Sequence, residues 1–125
     1  NNEFGGVHPP KDINKEMVQL PRNTSLGQNT TLAVIGTDAK LTKAQARRLA
    51  IIAQDGLGRA IRPAHTPLDG DTVFTIATGR QNLENPIRDL SLLGGYASNS
   101  LSRAIARAVY EAQSINNMTA YSDLK

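Results

Sequence analysis

The chain contains no cysteine and no tryptophan. The first absence excludes a disulfide framework and a thiolate metal site. Aromatic residues make up only 4% of the chain, so any core must rest on Ala, Leu, Ile and Val. The two histidines, His8 and His65, stand far apart with no ligand-like spacing, which argues against a zinc site. No apolar run approaches the roughly 20 residues that span a bilayer. No signal peptide opens the sequence, so no membrane partner is expected and the expected location is the cytoplasm. There is no internal repeat, low-complexity tract or glycine-rich phosphate loop. Gly36 alone lacks the rest of a dinucleotide fingerprint, and no cofactor or metal is expected.

Charge is mild: 14 Lys and Arg against 11 Asp and Glu, a net +3 over 125 residues. Basic residues are interspersed with acids except at Lys40, Lys43, Arg47 and Arg48, a cluster that suits the wet face of a helix. A nucleic-acid partner is not expected, because stacking aromatics are missing. The length is that of one domain or part of one. The opening Asn1-Asn2-Glu3-Phe4 offers neither a cap nor an initiating methionine and reads as a fragment of something longer.

Residues 1–29 hold few apolar residues and no steady period, with Gly5-Gly6, Pro9-Pro10 and Leu20-Pro21 as punctuation. They read as an exposed linker with at most a short helical turn from Asp12 to Gln19. Residues 30–37 read as a strand whose near-continuous apolarity (Leu32, Ala33, Val34, Ile35) predicts cover on both faces. Thr42-Lys43-Ala44-Gln45 is a capping box. The helix it opens is expected to run to about Ile61, with Ala46, Leu49, Ala50, Ala53, Leu57 and Ile61 on one stripe, and to end before Pro63.

A turn from His65 to Thr72 leads into a second strand, Val73 to Thr78. Strands on either side of one helix are compatible with an antiparallel or mixed sheet. Asn85-Pro86 reads as an N-cap with proline at the first helical position. That helix is expected to reach Leu93 and to break or kink at Gly94-Gly95. A second helical segment from Ser98 carries Leu101, Ile105, Ala108, Val109 and Ala112 on one face. Met118 to Lys125 is expected to be irregular.

Two stretches can carry chemistry. A polar, turn-rich segment ends at Asn29 and a strand begins at Thr30. If the Asn29–Thr30 bond is cut, Thr30 gains a free amine beside its own hydroxyl. Such an amine, with a pKa of roughly 8, can act as the base that activates the hydroxyl. Two threonines opening a strand are also ordinary strand composition. The second stretch is Asp69-Gly70-Asp71. Two carboxylates two residues apart face the same side of an extended chain and can orient a neighbouring hydroxyl or cation. Asp-Gly is equally a common turn pair.

Three runs give the sequence a family likeness: Asn29-Thr30-Thr31-Leu32-Ala33-Val34, Thr42-Lys43-Ala44-Gln45-Ala46, and Ala60-Ile61-Arg62-Pro63-Ala64-His65-Thr66-Pro67-Leu68-Asp69-Gly70-Asp71-Thr72-Val73-Phe74. Together they resemble the small subunit of the hydrolases that include nylon-oligomer (6-aminohexanoate-oligomer) endohydrolases, β-peptidyl aminopeptidases and L-aminopeptidase/D-amidase-esterases. The resemblance covers most of residues 30–110. It implies an α/β fold, a layered αββα sandwich of N-terminal-nucleophile-hydrolase type of which this chain is the C-terminal part.

It further implies an inactive precursor cut autocatalytically between Asn29 and Thr30. Residues 1–29 would end the α subunit and 30–125 would form the β (nucleophile) subunit. Thr30 would be nucleophile and, through its amine, base, with Asp69 and Asp71 in support. Asn2, within Asn2-Glu3-Phe4-Gly5-Gly6-Val7, resembles the family's Asn-x-x-Gly-x-Val stretch and would be the oxyanion donor; an asparagine in an ordinary turn is the plainer reading.

The implied partners are the α-subunit complement of the same precursor, a small oligoamide or peptide substrate, and further copies in a homo-oligomer, a tetramer being the size considered. The acid-Gly-acid form looks closer to the nylon-oligomer branch than to the β-aminopeptidases. An aminopeptidase or amidase acting on short peptides or β-peptides is the second reading. A non-catalytic α/β interaction domain is the third. Thr31 and Ser25 are also nucleophiles in principle; Thr30 is preferred because it follows Asn29 and opens the strand.

Overall fold

A computed structural model describes residues 30–116 and 118–123. The expected linker over 1–29, including Asn2 and Asn29, lies outside the described residues. The described elements are β1 (Leu32–Ala39), α1 (Lys43–Ala53), α2 (Asp55–Ala60), β2 (Thr72–Gln81), α3 (Pro86–Glu111) and a 3-10 turn at Tyr121–Asp123.

The helix starts follow local side-chain chemistry. The Thr42 hydroxyl accepts from the Gln45 N–H at 3.2 Å, and the Gln45 side chain accepts from the Thr42 N–H at 2.8 Å. Both bonds of the expected capping box are therefore formed, satisfying two of the helix's free donors. At α3 the Asn85 side chain accepts from the Arg88 N–H at 3.2 Å, with Pro86 in the first turn. The first helix is interrupted at Gln54 rather than running unbroken to Ile61. Ile61 itself is extended, two residues before Pro63.

β1 and β2 pair in parallel, with Leu32 opposite Thr72 and Ile35 opposite Thr75. Of the two expectations, this corrects the antiparallel one; a mixed sheet can contain such a parallel pair. Two helices and a loop are long enough to return the chain to the end where it started, which a parallel pair requires. The register shifts between Thr37 and Ala39, and the Lys40 N–H closes the far end on the Gln81 carbonyl at 2.6 Å.

One face of the strand pair is covered. Ala33, Ile35 and Val73 pack against Leu49, Ala53 and Leu57 of α1 and α2 and against Ala97 and Leu101 of α3. Leu49 and Leu57 are fully buried; each contributes about 1.5–3 kcal/mol relative to exposure. The other face, with Leu32, Val34, Phe74 and Ile76, is exposed. Cover on both faces, the sequence-based expectation, is thus not found among the described residues.

α3 is continuous through Gly94-Gly95, contrary to the expected break. Gly94 is buried because Ile52 of α1 sits against it: a Cβ there would lie 2.7 Å from the Ile52 Cγ2. The glycine serves close packing within a helix that runs on through it. Ser98, Leu101 and Ser102 are buried further along the same stripe, and a Cβ on Gly56 of α2 would collide with the Ser98 carbonyl oxygen. The expected apolar face fades beyond Ile105, since Val109 is exposed. The tail is more ordered than expected: Ile115 and Met118 exchange backbone hydrogen bonds, Ala120 is buried, and Tyr121 packs near Tyr110 with ring centroids 6.3 Å apart.

The same substitution at two glycines of α2 should have opposite effects. Gly58 faces open space, so Gly58→Ala is expected to stabilise by roughly 0.5–1 kcal/mol. Gly56→Ala is expected to destabilise by about 1–3 kcal/mol, because the α2–α3 contact must open. Urea denaturation of the two variants checks the sign of each.

Candidate active site

Parallel pairing places the starts of both strands at one end of the sheet. Continuing the register backwards from Leu32 and Thr72 sets Thr31 level with Asp71 and Thr30 level with Gly70. The contacts agree. The Thr72 N–H donates to the Thr31 carbonyl at 3.0 Å, extending the ladder one step past β1. The Thr31 N–H donates to Asp71 Oδ1 at 2.9 Å. A Cβ built on Gly70 would lie 2.6 Å from Thr30 Oγ1. Gly70 is therefore the one residue type that lets the Thr30 hydroxyl lie against the backbone between the two aspartates.

The two carboxylates have different partners. Asp69 turns back into its own loop, where its Oδ2 accepts from the Thr66 N–H at 2.7 Å and its N–H donates to the Thr66 carbonyl at 3.0 Å. The Thr66 hydroxyl accepts from the Leu68 N–H at 3.3 Å. Asp69 thus fixes the turn that delivers Gly70. Asp71 reaches across to β1: its side chain is only 7% exposed, and its hydrogen bond to the Thr31 amide is charge-assisted. The Thr72 hydroxyl donates to the Gly70 carbonyl at 3.1 Å, holding the segment from its other side.

The structure therefore brings Thr30, Gly70 and Asp71 together and sets Asp69 in the adjoining turn. Asn2 and Asn29 lie outside the described residues. Sequence reasoning considered His65 only as a metal ligand. In the structure its Nδ1 stands 3.8 Å from Asp71 Oδ2. The available signal was position: His65 lies six residues before Asp71, within the run that carries the family likeness. Among the described residues no cluster of three or more His, Cys, Asp or Glu could hold a metal ion. No helix among them is long and apolar enough to cross a membrane.

This end of the sheet offers a threonine hydroxyl against bare backbone, followed by an amide anchored to a buried carboxylate. A threonine hydroxyl is suited to nucleophilic attack once a base is supplied.

Comparison with known proteins gives the same stretch a wider setting. The family model described as "Peptidase family S58" matches residues 3–122. An uncharacterized aminopeptidase of Mycobacterium bovis is 39% identical over 98% of this chain and 39% of its own length. An uncharacterized aminopeptidase of Mycobacterium leprae is 43% identical over 74% of this chain and 28% of its own. A 6-aminohexanoate-oligomer endohydrolase of a Kocuria species is 34% identical over 61% of this chain and 21% of its own. The chain thus spans about two-fifths of the Mycobacterium bovis relative.

Asp71→Ala is expected to destabilise by about 1–3 kcal/mol, since the part-buried Thr31 N–H loses its acceptor. Asp71→Asn keeps an oxygen there and should cost clearly less. Paired denaturation curves of the two variants measure the difference.

Proposed function

This chain belongs to peptidase family S58, and on that footing we propose that it is the nucleophile-bearing part of a self-processing amide hydrolase. The observation that carries the reading is the seating of the Thr30 hydroxyl on Gly70 with the next amide fixed by Asp71. In this reading the precursor bond between Asn29 and Thr30 is cut, leaving residues 30–125 as the nucleophile subunit and 1–29 as the end of the other.

The Thr30 amine then takes the hydroxyl proton, and Oγ1 attacks the substrate carbonyl carbon. The tetrahedral intermediate collapses as the protonated amine of Thr30 gives its proton to the leaving nitrogen. An ester on Thr30 remains. Water, deprotonated by the same amine, attacks that ester and releases the acid. General-base help of this kind is worth about 10² to 10⁴ in rate. Asn2 is the proposed oxyanion donor, a role worth roughly 3 kcal/mol of transition-state stabilisation. Asp71 aims the head of β1, and Asp69 shapes the turn beneath it.

The substrate is a linear amide. The mycobacterial relatives, matched over more of this chain, carry the name aminopeptidase and favour a short peptide with a free amino end. The Asp69-Gly70-Asp71 form and the Kocuria relative favour internal cuts in 6-aminohexanoate oligoamides. In the proposed assembly the rest of the precursor supplies the second sheet and helical layer of the αββα sandwich, and copies of the whole associate as a homo-oligomer. The exposed apolar row Leu32, Val34, Phe74 and Ile76 supports such a covering layer.

Intact mass of the full-length protein should reveal species divided between Asn29 and Thr30. Thr30→Ala should abolish the division and lower amide turnover by at least about 10³-fold, whereas Thr30→Ser should retain both in part. An undivided chain at full activity would exclude the role given to Thr30. Products then decide the substrate: internal fragments from a blocked oligoamide mark an endohydrolase, and a strict need for a free amine marks an aminopeptidase.

A further inference from the structure

We infer that His65 is a positioning residue for the nucleophile, acting on Thr30 through Asp71; the inference rests on the reading of Thr30 just proposed. Three observations carry it. The first is a relay of contacts. His65 Nδ1 lies 3.8 Å from one oxygen of the Asp71 carboxylate, and the other oxygen accepts the Thr31 N–H at 2.9 Å. Thr31 is the residue bonded to the nucleophile, so the relay reaches Thr30 through a single peptide.

The second is burial. The Asp71 side chain is 7% exposed and that of His65 is 43% exposed. A carboxylate so enclosed favours a partner at each oxygen, and among the described residues the imidazole faces Oδ2. At 3.8 Å the contact is too long for a hydrogen bond. Contacts of this kind often shorten when substrate binds.

The third is backbone. His65 has φ of 60°, a left-handed conformation that residues other than glycine adopt uncommonly. The residues just after it hold it there: Thr66 is bonded to Asp69 through both its N–H and its carbonyl, and its hydroxyl takes the Leu68 N–H. Asp69 therefore has a defined task in the same device. It closes the turn that points His65 at Asp71, while Asp71 aims the head of β1. With Oδ1 bonded to the Thr31 N–H and Oδ2 facing the imidazole, the Asp71 carboxylate is flanked on both sides. Without the imidazole, Oδ2 is free to rotate toward water and the Thr31 amide loses its fixed acceptor.

The test uses the full-length precursor, with two readouts. One is the rate at which chain beginning at Thr30 appears by intact mass; the other is steady-state turnover of an alanyl p-nitroanilide and of a 6-aminohexanoate trimer. His65→Gln should slow self-cleavage and lower kcat about ten-fold, with KM unchanged within about two-fold. His65→Ala should lose as much and recover several-fold on addition of free imidazole, since the site is partly open to solvent. In an Asp71→Asn background, His65→Gln should cost less than about two-fold more, because the path it acts through is already broken.

Unchanged cleavage and kcat in His65→Gln would overturn the inference. So would an equal loss in both backgrounds, or a loss that follows a lowered melting temperature and ignores imidazole. Turnover and cleavage surviving in Thr30→Ala would instead remove the reading of Thr30 on which the inference stands.

Discussion

The site depends on the direction in which two strands run. Parallel pairing brings the beginnings of β1 and β2 to the same end of the sheet, and the register from Leu32 and Thr72 then sets Thr30 over Gly70. An antiparallel pair would carry the aspartates to the far end of β1, some eight residues away. Everything chemical at this end follows from that alignment. The Thr31 amide finds the Asp71 carboxylate because the ladder would have continued there, and a side-chain oxygen stands in for the next backbone acceptor. The substitution ties a carboxylate to Thr31, the neighbour of Thr30, without interrupting the sheet.

The helices hold this alignment in place. α1 and α2 bury Leu49, Ala53 and Leu57 against the inner face of the strands, and α3 closes over them with Ala97 and Leu101. Small residues let the helices approach: Gly94 accepts Ile52, and Gly56 accepts the backbone at Ser98. The crossover between the strands is therefore packed against the core along α1 and α2. The loop from Ile61 to Asp71 is shaped instead by short-range hydrogen bonds among Thr66, Leu68 and Asp69. A packed frame with a hydrogen-bonded rim is a common way to place functional groups on a fixed scaffold.

Much of this was legible in the residues, and what was legible was local. The Thr42–Gln45 box and the Asn85-Pro86 start are contacts between residues three apart, so their signals lie within a few letters of sequence. The stripe through Leu49, Ala53 and Leu57 was readable by period. The sheet's direction was not, because nothing in either strand's composition distinguishes parallel from antiparallel pairing. Alternating exposure in β1 was hidden by apolar residues on both faces: Leu32 and Val34 look like core but are exposed. Gly94-Gly95 read as a break because local propensity says so, whereas packing against Ile52 uses the missing side chain. At the site, Thr30 and Asp71 were nameable in advance, but the division of labour between Asp69 and Asp71 was not. It depends on a contact forty residues away along the chain, between Asp71 and Thr31. His65 escaped notice because its partner is six residues distant around a turn, a spacing that belongs to no regular period.

The bare apolar row on the outer side of the strands bears on the order of maturation. Leu32, Val34, Phe74 and Ile76 stand in water here, and each would gain by leaving it. Two of the four lie within five residues of Thr30, so the surface seeking cover and the bond proposed for scission share one strand. Scission ahead of that cover would set loose a piece with a sticky flank and a new, untethered end beside it. Under the proposed function, folding of the whole precursor first, with the cut as its last covalent event, would avoid that hazard, and a free Thr30 amine would then report that assembly is complete.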